Sequence, residues 1–111
     1  MKVYCDSSTR EACYVIEEQD PVIVSYSEQV TVNVGEYMAV ILALEEAKRL
    51  GLEQVEVLTD SQLVFMQVVG HWQCRCKHLL LFRDRVRELL LSPFILRWVP
   101  REENIAGWVL E

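Results

Sequence analysis

The chain has no run of about 18 uncharged apolar residues, so no membrane-spanning helix is expected. Its start, Met1-Lys2-Val3-Tyr4-Cys5-Asp6, lacks the apolar stretch of a secretory signal, and a cytoplasmic location is the expectation. Basic residues are scarce: 11 Lys and Arg stand against 17 Asp and Glu, a formal charge of −6. A purely electrostatic nucleic-acid binder would be basic, which argues against that class. Metal-binding carboxylates beside a locally basic segment remain compatible with this balance. Cysteine is limited to Cys5, Cys13, Cys74 and Cys76. With no secretory signal, these are expected as free thiols rather than a disulfide framework. No repeats, low-complexity tracts or linkers occur, and the 111 residues suit one domain, 1–111.

What is present reads as alternating strands and helices. Residues 2–8 and 12–18 hold β-formers around a turn at Ser7 to Glu11. Val22 to Val34 reads as a third strand, because Val30, Val32 and Val34 alternate with Thr31 and Asn33. Pro21 just before it suits a sheet edge. Gly35 breaks that pattern, and Glu36 to Leu50 is rich in helix formers, with Gly51 as a stop. Val55 to Thr59 is a short apolar strand, and Asp60-Ser61 opens a helix ending at Gly70. Lys77 to Leu91 is helical, with Leu79, Phe82, Val86, Leu89 and Leu90 at the spacing of a buried stripe. Phe94 to Val99 is a fifth strand, and Arg101 to Leu110 a last helix. The order β-β-β-α-β-α-α-β-α predicts an α/β fold. Its five-stranded mixed sheet has three antiparallel strands first, later parallel crossovers, and helices on both faces.

Three acids fall at telling places in that order. Asp6 lies near the end of the first strand, Asp60 follows the fourth, and Glu36 lies in the first turn of the first helix. If strands one and four are parallel neighbours, their C-terminal ends converge, where ligands of such sheets bind. Singly, each acid has a plain structural role: Asp6 in a turn, Glu36 at a helix start, Asp60 as a cap. Together they make a cluster that needs a cation, and hard oxygen donors suit Mg2+ or Mn2+. Two such ions about 4 Å apart can activate water and stabilise a leaving oxygen in phosphodiester hydrolysis.

The chain resembles type 1 ribonuclease H, in its compact forms. The resemblance rests on Tyr4-Cys5-Asp6-Ser7-Ser8, Glu36-Tyr37-x-Ala39 with Ala43-Leu44, Leu58-Thr59-Asp60-Ser61, Gly70-His71-Trp72, and Trp98-Val99-Pro100-Arg101-Glu102-Glu103-Asn104 with Ala106. It implies a ribonuclease H-like fold and metal-dependent cleavage of the RNA strand of RNA/DNA hybrids. Asp6, Glu36 and Asp60 would then be the catalytic metal ligands. It also implies contacts of Ser61 and the segment around Trp72 with the hybrid backbone. Arg75 and Lys77 nearby, and Arg83, Arg85 and Arg87 beyond them, are further candidates for phosphate contact. The pattern breaks where the family carries a fourth carboxylate: this chain has Gly107. The expected consequence is weak or absent hydrolysis.

An apolar excess supports an alternative, a non-catalytic protein-binding or self-associating module engineered on such a scaffold. The helix after Asp60 is apolar all round, where a stripe is expected. Phe65, Met66, Val69, Leu81 and Trp108 are the candidate interface, meeting another copy or a protein partner through one patch. The competing expectation is that they close the core. His71, Cys74, Cys76 and His78 are zinc-type ligands without a usual zinc spacing.

Overall fold

Two β-rich segments separated by a short polar turn form a hairpin, β1 (Lys2–Ser7) and β2 (Glu11–Ile16). In the computed structural model, which describes residues 1–91 and 93–111, β3 (Val22–Ser25) extends this hairpin as an edge strand. β4 (Val55–Thr59) and β5 (Phe94–Trp98) complete a sheet of order β3-β2-β1-β4-β5. β1, β2 and β3 pair antiparallel, whereas β4 runs parallel to both β1 and β5. The mixed α/β topology is the one expected from the order of elements.

Period-two alternation assigns the two faces of the sheet. Val3 and Cys5 of β1, and Ala12, Tyr14 and Ile16 of β2, pack with α1 (Val32–Arg49), α2 (Gln62–Val69) and α3 (Lys77–Leu89). Tyr4, Cys13 and Val15 face the other way, against Ile105, Ala106 and Leu110 of α4 (Ile105–Leu110). The first three helices therefore share one face, and the short terminal helix takes the opposite one.

Several boundaries differ from the sequence reading. The third strand stops at Ser25, and the Val30-Val32-Val34 alternation is the approach to a helix. Thr31 is its cap, with Oγ1 accepting from the Val34 N–H at 3.2 Å, so capping overrides β-branched propensity here. Gly35 lies inside α1 and does not break it, and Glu36 is in the second turn. Finally, Arg101–Glu103 is a separate 3-10 turn before α4. The third helix ends at Leu89, two residues earlier than expected.

Candidate functional site

The register of the parallel pair brings two acids together. Tyr4 of β1 lies opposite Leu58 of β4, so Asp6 and Asp60, each two residues further on, emerge side by side. Glu36 comes from α1, whose approach is made close by Gly35. A Cβ at Gly35 would lie 2.5 Å from Ser7 Oγ and 3.0 Å from the Ser8 carbonyl oxygen. The helix can touch the end of β1 because that position has no side chain. Glu36 Oε1 then accepts from the Ser7 backbone N–H at 3.0 Å. Carboxylate oxygens of Asp6, Glu36 and Asp60 lie within 4.8 Å of one another.

Such a cluster is electrostatically costly. Burial, then the Asp6 charge and Asp60, push the Glu36 carboxyl up to about 9. The Asp60 carboxyl is also raised, by burial and then Asp6, while the Asn104 amide and the Arg101 charge pull it back. A donor set of three hard oxygens, two of them with raised pKa, fits a divalent cation. Among the described residues no other group of three or more His, Cys, Asp or Glu has its ligand atoms gathered in this way, and His71, Cys74, Cys76 and His78 are not brought together as one.

Gly107 borders this cluster. A Cβ there would sit 3.1 Å from Asp6 Oδ2 and 3.9 Å from Asp60 Oδ2. A side chain at 107 would thus enter the acidic site directly. Asn104, fully buried, donates from Nδ2 to the Cys5 carbonyl at 2.8 Å and anchors the start of α4 beside β1. The Trp98 indole N–H donates to the Asp60 carbonyl at 3.1 Å. Sequence reading gave Gly35, Asn104 and Trp98 no role at the acidic site. Asn104 and Trp98 stood in matched motifs, which was their available signal; close helix approach at Gly35 had none.

The other candidates lie on α2, on α3 and in the segment between them. Ser61 caps α2, with Oγ accepting from the Val64 N–H at 3.2 Å. Trp72 and Arg75 are exposed in the segment leading into α3, as is Lys77, its first residue. Arg83 pairs with Asp84, and Arg85 with Glu45 and Glu88. Arg87 donates to the Gln67 and Val68 carbonyls, so its guanidinium is engaged within the fold.

The single apolar patch expected from sequence is corrected. Phe65 and Met66 are half-buried, and Phe65 packs against the core. Val69, Leu81 and Trp108 are exposed, but Leu81 and Trp108 belong to helices on opposite sheet faces. Leu81, 76% exposed, lines an open apolar cavity of about 720 Å3 with Val34, Leu79 and Phe82. All four cysteines are free thiols. Cys5 and Cys13 point to opposite faces, so they do not meet across the hairpin.

The profile of a family described as reverse transcriptase-like matches residues 5–107. Ribonuclease HI of Halobacterium salinarum is 41% identical over 76 residues, which cover 67% of this chain and 38% of that protein. A bifunctional protein of Mycobacterium tuberculosis is 38% identical over 78 residues, 67% of this chain and 21% of its own length. The matched regions are thus well under half of these relatives. The crystal structure of the Halobacterium salinarum ribonuclease H1 superposes with a TM-score of 0.84 at 30% identity, covering 98% of this chain and 92% of that one. A ribonuclease H1 solved in complex with an RNA/DNA hybrid shares the fold at TM-score 0.76 and 22% identity, covering 93% and 87%.

Proposed function

The chain belongs to the reverse transcriptase-like family of ribonuclease H-like domains, and from that premise we propose that it is a divalent-metal-dependent endonuclease for the RNA strand of RNA/DNA hybrids, slowed by glycine at position 107. The observation that carries this reading is the approach of Asp6, Glu36 and Asp60 to within 4.8 Å at the C-terminal ends of β1 and β4. Mg2+ or Mn2+ held by these three would supply water activation and charge stabilisation at a phosphodiester.

The chain's own residues do the positioning. The Ser7 N–H fixes one oxygen of Glu36, and the Asn104 amide ties the start of α4 to the strand that carries Asp6. The Trp98 indole holds the backbone at Asp60. Ser61, Trp72, Arg75 and Lys77 are the proposed contacts to the hybrid backbone; Arg75 and Lys77 supply local positive charge in an acidic chain. Without a carboxylate at 107, the site has fewer anionic donors than a second ion would need.

The test is hybrid cleavage in Mg2+ or Mn2+. The parent chain should cut slowly. Gly107→Asp should accelerate cleavage about tenfold or more, roughly 1.4 kcal/mol of barrier. Asp6 must yield a few tenths of an ångström to admit the new Cβ. Asp60→Asn should abolish cleavage in both backgrounds. Fast cutting by the parent, unchanged by Gly107→Asp, would show that three carboxylates suffice. Cutting that survives Asp60→Asn would remove the proposed site altogether.

A further inference from the structure

α2 has two polar residues, and one of them is inside. Gln62 is exposed, whereas Gln67 is buried. Its Oε1 accepts from the hydroxyl of Tyr37, itself fully buried, at 2.7 Å. The same turn of α2 is held from α3, where the Arg87 guanidinium donates to the Gln67 and Val68 carbonyls at 3.0 Å each. Tyr37 in turn stacks on Phe82 of α3, with ring centroids 6.4 Å apart. Three helices thus meet at one buried side-chain hydrogen bond.

The ends of these elements are the acidic site. Tyr37 directly follows Glu36 in α1, and α2 starts at the Ser61 cap directly after Asp60. α2 is only eight residues long, and apolar contacts are non-directional, so burial alone does not fix its rotation. A hydrogen bond in low dielectric does. We infer that Tyr37 and Gln67 are a positioning pair whose bond sets the spacing of Glu36 and Asp60, and hence the affinity for a divalent cation. This rests on the metal-site reading above.

The pair can be separated from its contribution to folding. Tyr37→Phe keeps the ring but leaves a buried acceptor without its donor, which costs stability. Replacing both partners with apolar groups removes that penalty. Mn2+ binding to the full chain is measured by electron paramagnetic resonance, with melting in EDTA alongside. Tyr37→Phe should lower Tm and weaken Mn2+ binding about two- to tenfold, the worth of one hydrogen bond. Tyr37→Phe combined with Gln67→Met should regain most of the Tm while Mn2+ binding stays weak. If Tyr37→Phe does not fold, the double variant decides alone. Mn2+ affinity equal to the parent in a folded variant would overturn the pair's positioning role and leave the metal site standing. Parent binding that Asp60→Asn does not weaken would overturn the metal site, and the pair with it.

Discussion

Glu36 faces two other carboxylates from a largely buried position, and its carboxyl is pushed up to about 9 by burial, Asp6 and Asp60. In an unfolded chain a glutamate ionises at its ordinary value, about 4.3. Between those pH values the folded state holds the extra proton, so metal-free stability must fall as pH rises through that window. Asp60, also raised, adds to the fall with the same sign. Melting in EDTA should therefore give a Tm that declines from about pH 5 to about pH 9, as the unfolding free energy falls by at most about 1.4 kcal/mol per pH unit from Glu36. Glu36→Gln should flatten most of it. An equally steep decline in that variant would mean the strain lies elsewhere. The residues carrying this argument were legible as acids at strand and helix ends. Gly107 was legible too, as a departure from a pattern. Burial was not: Glu36 is 8% exposed because Gly35 lets its helix settle on β1, and nothing in the spacing of acids encodes that closeness.

At the scale of elements, α1 sets the geometry of the site and was also the element most misread. Alternating valines over 30–34 carry a real β preference, yet Thr31 supplies a side-chain cap, and four residues thought to be strand or break join the helix. Gly35 tests what the helix is for. On propensity alone, Gly35→Ala in a helix would stabilise by about 1 kcal/mol. The added Cβ, however, would meet Ser7 Oγ at 2.5 Å and the Ser8 carbonyl oxygen at 3.0 Å. Ser7 Oγ cannot turn away freely, because it is bonded to the Tyr26 hydroxyl at 2.7 Å. Overpacking of this kind costs about 1–3 kcal/mol, so the steric term should win and α1 should lift from β1. The expected result is a lower Tm and weaker Mn2+ binding, since Glu36 moves with its helix. A Tm above the parent's would show that β1 yields instead. The break at Asn104 has a similar cause: its side chain is committed to the Cys5 carbonyl, which separates the 3-10 turn from α4.

Across the whole molecule, the sheet divides the exposed apolar side chains that sequence had gathered into one surface. A pattern of residues states which face of a helix is apolar, but not which face of a sheet that helix will cover. Leu81 and Trp108 end up on opposite layers for that reason. The three carboxylates do the reverse: they come from β1, α1 and the end of β4, so an ion bound there would join three separate elements. Such an ion binds the folded chain and not the unfolded one, and its binding energy adds to global stability. With Mn2+ at a hundred times its dissociation constant, the gain is about 2.7 kcal/mol. For a domain of this size that is an increase in Tm of roughly 10 °C. General screening of the −6 charge would also raise Tm, but NaCl at matched ionic strength would do it equally well. The increase should therefore appear with Mn2+ and not with NaCl, and should disappear in Asp60→Asn. Equal increases with both salts, or an increase that persists in the variant, would reduce the cluster to three crowded acids without a shared ion.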